Sequence, residues 1–201
     1  MATRWFKRLA DVPKLAYEVV PEVDCTKLPG YDLEPEISVY EFEGKEHRSL
    51  RWANSSSISP AAGHTLDSQT ADASPQALLR RLEEALELPG ELLDYHFAIQ
   101  TCATSIYKMS PKHPEVLQDV ERLCGLDIEL VEAYPEIIEF EPGKRFRVST
   151  FESLLHLYER EGYLHEAMEV AERGLRCGQD LSGRLEDLRA RLAAMEAEGT
   201  D

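Results

Sequence analysis

The sequence predicts an all-α fold: an antiparallel array of six or seven helices behind an irregular N-terminal region that holds at most a short β-hairpin. Three observations carry that prediction. From residue 75 to residue 198 apolar side chains recur every third or fourth position, the period of a helix face. Proline and glycine interrupt this pattern at 89–90, 110–114, 141–144, 162 and 178, cutting it into helix-sized pieces. In the last helix the face opposite the apolar stripe carries Arg and Glu, some spaced to pair along that helix.

The elements follow in chain order. Residues 1–52 are irregular, with prolines at 13, 21, 29 and 35. Within them, "EISVYEFEGKEHRSLRW" (36–52) has β-branched and aromatic residues on both sides of Gly44 and predicts a hairpin turning at Glu43-Gly44-Lys45. A lone hairpin is marginal in water and needs a packing partner. Residues 53–74 are rich in Ser, Ala, Thr and Asp without an apolar period, which predicts a flexible linker or long loop and no role for His64.

Residues 75–201 form the predicted helical domain. Ser74-Pro75 reads as an N-cap followed by proline at the first helical position, and Leu78, Leu79, Leu82, Ala85 and Leu86 share a face. A second helix is predicted over 91–109. A third opens at Pro114, with His113 at its cap, and runs to Cys124. Gly125 and Asp127 are expected to separate it from a fourth, "IELVEAY", extended by "PEIIEF". "EPGK" (141–144) is a turn signal, and "RFRV" reads as a short extended link. Ser149-Thr150-Phe151-Glu152 has the capping-box pattern and opens a helix that ends at Gly162. Leu164–Cys177 is the next helix. Asp180 or Ser182 caps the last, whose stripe is Leu185, Leu188, Leu192 and Met195.

Charge bounds the partners. The 201 residues include 38 acidic and 22 basic side chains, a net of −16. Such a chain repels phosphate backbones and anionic membrane surfaces, so neither nucleic acid nor membrane is an expected partner. No apolar run approaches the ~20 residues of a membrane span. The opening "MATRWFKRLADVPK" lacks the apolar core and cleavage site of a secretory signal, so a cytoplasmic protein is expected. Cys25, Cys102, Cys124 and Cys177 form no C-x-x-C pair and read as small buried hydrophobes.

No recognised catalytic or cofactor motif is present. The chain has no H-E-x-x-H, no G-x-S-x-G, no phosphate-binding loop and no dinucleotide fingerprint. His156 and His165 lie near one turn without a third ligand, so surface histidines are expected rather than a metal site. Glu83-Glu84 are consecutive on a helix and point apart, which does not suit paired acid–base work.

Residues 148–178 resemble one tetratricopeptide repeat, a pair of antiparallel helices about 34 residues long. Phe151 and Leu154 match the early bulky positions, Tyr158 the usual tyrosine, and Gly162 the turn. Ala167 matches the point of closest approach, Ala171 and Gly174 keep that face small, and Leu175 follows as the usual apolar residue. Leu155 and Gln179 depart from the pattern, standing where a small residue and a proline are usual. Setting Tyr107 under Tyr158, an offset of 51, yields a degenerate copy over about 97–127, with Val116, Val120 and Leu123 in the small positions. One repeat cannot bury its own apolar face. The final helix is expected to cover it.

The resemblance implies a protein-interaction module, an adaptor or scaffold binding peptides or helices on the face made by the first helices. In the good repeat that face presents Glu152, His156, Glu159 and Arg160 as candidate partner-binding residues. The family's best-known groove clamps a carboxylate with Lys, Arg and Asn; Glu152 and His156 do not reproduce it, so a protein or peptide partner of basic or mixed charge is expected. Two other classes stay open: an acidic helical regulatory or immunity-type protein that blocks one partner, and an enzyme with a site around Tyr95, His96 and Tyr107.

Overall fold

A computed structural model describes residues 4–5, 18–19, 24–42, 44–54, 58–66 and 74–198. The described residues are mostly helical, with seven α-helices and three small two-stranded sheets. The chain divides into two compact units, 1–98 and 99–201. The helix over 75–87 therefore groups with the N-terminal region, where the sequence placed it at the head of the helical domain.

In the first unit, β1 (Arg4–Trp5) pairs in parallel with β2 (Glu18–Val19). The predicted hairpin is present: β3 (Pro35–Phe42) pairs antiparallel with β4 (Lys45–Trp52), with Gly44 at φ +73° in the turn. Trp52 anchors its base, only 4% exposed.

Residues 60–66, expected to lack structure, form α1 (Pro60–Leu66). Ser59-Pro60 starts it as Ser74-Pro75 starts α2 (Pro75–Glu87). The Ser59 hydroxyl accepts from the Ala62 N–H at 3.0 Å, and Ser74 accepts from Ala77 at 3.3 Å. α1 packs through small residues rather than an apolar stripe. Ala61 is fully buried, and a Cβ on Gly90 would lie 2.8 Å from its methyl. Arg81 donates to the His64 carbonyl at 2.6 Å, and the His64 ring meets Glu84 at 2.9 Å, so His64 does have a structural partner.

The second unit begins inside α3 (Leu92–Met109). It continues through α4 (Leu117–Ala133), α5 (Ser149–Glu161), α6 (Leu164–Arg176) and α7 (Ser182–Glu198). α4 packs on α5, α5 on α6 and α6 on α7. The expected break at Gly125 does not occur: α4 runs straight through it. Glycine costs a helix interior about 1 kcal/mol, and the flanking Leu123, Cys124, Leu126 and Ile128 are all buried. Asp127, expected to help break the helix, is buried within it and accepts a hydrogen bond from the Thr150 hydroxyl at 2.6 Å.

The segment "PEIIEF" does not extend the helix. Pro135–Ile138 forms a 3-10 turn, and β5 (Glu139–Glu141) then pairs with β6 (Lys144–Arg145) across the predicted "EPGK" turn. The capping box is also absent. α5 has Val148 at its N-cap without a side-chain hydrogen bond. Two glutamines distant in sequence replace it: Gln179 accepts from the Val148 N–H at 2.8 Å and Gln100 from the Ser149 N–H at 2.6 Å.

α5 and α6 meet at Gly162, at φ +85° in the left-handed region that glycine enters at least cost. Ala167 and Ala171 are fully buried. Gly174 sits where a Cβ would overlap the Leu181 side chain and lie 3.3 Å from Phe151. In α7, Leu185 and Leu188 are buried, but Met195 is 60% exposed, so the predicted stripe is covered only in its first half.

Ala167→Leu is expected to destabilise the chain by about 1–3 kcal/mol through overpacking, read as a lowered denaturant midpoint; an unchanged midpoint contradicts close packing at 167. Gln179→Ala is expected to cost about 1–3 kcal/mol by stranding the Val148 N–H, measured the same way.

Candidate functional site

Glu152, His156 and Arg160 are spaced four apart and share one stripe of α5. The structure treats them differently. Glu152 is occupied by Arg147, whose Nε donates at 3.1 Å and whose Nη2 also donates. Glu159 is turned toward α7 and is only 13% exposed, held by Arg191 at 2.9 Å and by Arg184. His156 is exposed. Arg160 is exposed, pairs with Glu161 at 2.9 Å and lies 5.8 Å from the centroid of the Tyr107 ring. Three of the four candidates thus have partners within the chain, and His156 and Arg160 are the exposed ones.

The surface around Arg160 is aromatic. Tyr163, directly after the Gly162 turn, is 56% exposed and meets Tyr158 edge-on at 6.3 Å. The Tyr158 hydroxyl donates to Glu121 of α4 at 2.8 Å. Burial, and then this hydrogen bond to a carboxylate, push the Tyr158 hydroxyl well above its ordinary range. Burial also raises Tyr107, with the Arg160 charge acting in the opposite direction. Sequence reasoning placed Tyr158 as a packing residue and missed Tyr163 and Glu121. The available signal was a tyrosine on each side of the glycine turn.

A concavity of about 280 Å³ lies where α5 begins, lined by Arg145, Phe146, Phe151, Glu152, Gln179 and Asp180 among others. Arg145 crosses Gly178 and donates to the Cys177 carbonyl at 2.8 Å, a cation at the C-terminal end of α6. Phe140 and Phe146 pack together beside it at 4.8 Å between ring centroids.

Cys102, Cys124 and Cys177 are buried thiols outside any disulfide, while the side chain of Cys25 lies outside the described residues. Burial raises Cys124 and Cys177, which disfavours the nucleophilic thiolate. Tyr95 spends its hydroxyl on the Leu88 carbonyl at 2.9 Å, and His96 is fully buried; both belong to the first unit, and Tyr107 to the second. His113 caps the 3-10 turn Pro114–Val116 without a side-chain cap bond and contacts Glu115 at 3.1 Å. Among the described residues, no group of three His, Cys, Asp or Glu side chains could hold a metal, and no helix is long and apolar enough to cross a membrane.

Compared with protein-family models, with curated proteins and with solved structures, the chain matches none.

A raised tyrosine pKa means that the folded state holds the proton more tightly than the unfolded state. The resulting stability is complete below the unfolded value of about 10 and is lost as pH rises above it. Alkaline titration followed by tyrosinate absorbance is therefore expected to show late-ionising tyrosines, one of which disappears in Tyr158→Phe. A titration curve that keeps every late component in that variant removes the assignment.

Proposed function

We propose that this chain is a non-enzymatic protein-interaction module working in the cytoplasm, an adaptor or scaffold built on a tetratricopeptide-like helix pair. The observation that carries this reading is the aromatic and arginine surface joining α3 to α5. Gln100 reaches Ser149 at 2.6 Å, and Arg160 lies over Tyr107 at 5.8 Å. Both contacts advance in the same sense along the two helices, so this part of α3 runs parallel to α5, as the first helices of successive repeats do. Tyr107, Tyr158, Arg160 and Tyr163 are of the residue types that dominate binding energy at interfaces, being large and stiff, with polar ends.

The surroundings favour a partner of basic or mixed charge. Glu121 and Glu166 lie within electrostatic reach of Tyr158, and Glu159 and Glu161 of Tyr107. Arg184 and Arg191 already balance Glu159, and Arg160 pairs with Glu161. Glu121 and Glu166 are left to set the sign of the rim, and complementary charge on a partner speeds and orients docking. The binding face accordingly centres on His156, Arg160 and Tyr163, with Glu152 and Glu159 holding the helix from within.

Cross-linking and co-purification from native lysate test this reading. A stoichiometric protein partner is expected, its affinity falling about 10–100-fold in the double variant Arg160→Ala/Tyr163→Ala while the unfolding midpoint stays near that of the parent. Full capture by that variant, or no partner at all, counts against the reading.

A further inference from the structure

The hairpin of the first unit has two unlike edges. Among the described residues its sheet contains only β3 and β4. Two residues separate Phe42 from Lys45, so those two make the hydrogen-bonded pair that closes the turn. Antiparallel pairs alternate between bonded and non-bonded. The backbone groups of Glu41, Val39 and Ile37 therefore point away from β4. Pro35 falls on the same outward set, the place where a strand tolerates a residue without an N–H.

Edge strands are commonly guarded by charged side chains, Lys above all, and by proline. Among the described residues, the centre of this edge, from Ile37 to Val39, carries neither, and such guards stand only toward its ends. Lys45, Arg48 and Arg51 all belong to β4; the charged residues of β3 are Glu36 and Glu41, and Glu34 precedes them. The same edge presents Ile37 at 67% exposure and Val39 at 55%, side by side on one face. We infer that the outer edge of β3 accepts an extended segment of a partner protein as an added strand, apolar at its centre and carrying Lys or Arg at its ends.

Geometry sets the sign. An added strand lies about 4.8 Å from β3 and about twice that from β4. It therefore lies nearer the exposed residues Glu34, Glu36 and Glu41 than Arg51, which stands opposite Glu36 on β4. Backbone hydrogen bonds give such a strand its register, and the exposed Ile37 and Val39 favour apolar side chains at alternate positions. A second copy of the chain is the less suited occupant: its own β3 brings the same carboxylates, on a molecule of net charge −16. This site lies in the first unit and does not depend on the tyrosine surface of the second.

The test is a titration of the full chain with the capped peptide KTVTVTK, followed by backbone amide shifts. Binding is expected to move the amides of 36–41. It is expected to weaken at least 10-fold with the charge-reversed peptide ETVTVTE, and at least 10-fold in Val39→Pro, which deletes one outward N–H but no ladder bond. Tyr163→Ala is expected to bind KTVTVTK like the parent, which separates this site from the tyrosine surface. Equal binding of both peptides, undiminished binding by Val39→Pro, or no binding of KTVTVTK overturns the inference. Dimerisation of the parent chain abolished by Val39→Pro assigns the edge to a second copy and overturns it too.

Discussion

Phe151 is fully buried at the start of α5, and the ring occupies space that position 174 of α6 leaves empty. Leu181 fills the same gap from the other side. No larger residue fits at 174 without displacing one of them, and a packed interior has little slack for such a shift. The neighbouring contacts follow from this approach. With Leu181 seated, Gln179 lies where its amide holds both the Val148 N–H and the Phe146 carbonyl. Arg145 crosses Gly178 to reach the Cys177 carbonyl. The end of α6 and the start of α5 are thus tied by one steric fit and several directed hydrogen bonds.

The helical parts of the fold were legible where the apolar period was long and the breakers strong. Ser74-Pro75, Gly162 and Gly178 each marked a boundary close to its real place. The reading failed where distant residues decide the outcome. Gly125 looked like a break because local propensity disfavours it, yet burial of the apolar residues around it keeps α4 continuous. Ser149 and Glu152 had the form of a capping box, but Gln100 and Gln179 take the N–H groups and Arg147 takes the glutamate. α1 was missed because it packs through Ala61 against Gly90, a contact without a hydrophobic period. Of the candidate face, the stripe on α5 was readable from spacing. That Glu159 turns inward to α7 was not, since its arginine partners lie 25 and 32 residues away.

In a chain so acidic the cations are the limiting component, and their placement is informative. Arg173 of α6 holds Glu132 of α4, Arg184 and Arg191 of α7 hold Glu159 of α5, and Arg189 holds Glu172 of α6. These pairs bridge different helices, and pairs along single helices occur beside them, Arg80 with Glu84 and Arg122 with Asp119. Each exposed pair is worth at most about 1 kcal/mol. Their greater effect is on what remains: arginines drawn into the seams between helices leave Glu121 and Glu166 on the surface beside the tyrosines.

The last helix is anchored unevenly. Leu185 and Leu188 are buried against the body of the second unit, whereas Leu192 is half-buried and Met195 faces solvent. Beyond Leu192, little apolar burial opposes fraying, and a helix end of this kind opens with a free energy close to zero. Its amide protons therefore exchange with solvent long before those of α5 and α6, and a protease finds readily cleavable backbone there. The terminal turns behave as a fringe on the fold, whose removal leaves the packing around Phe151 intact.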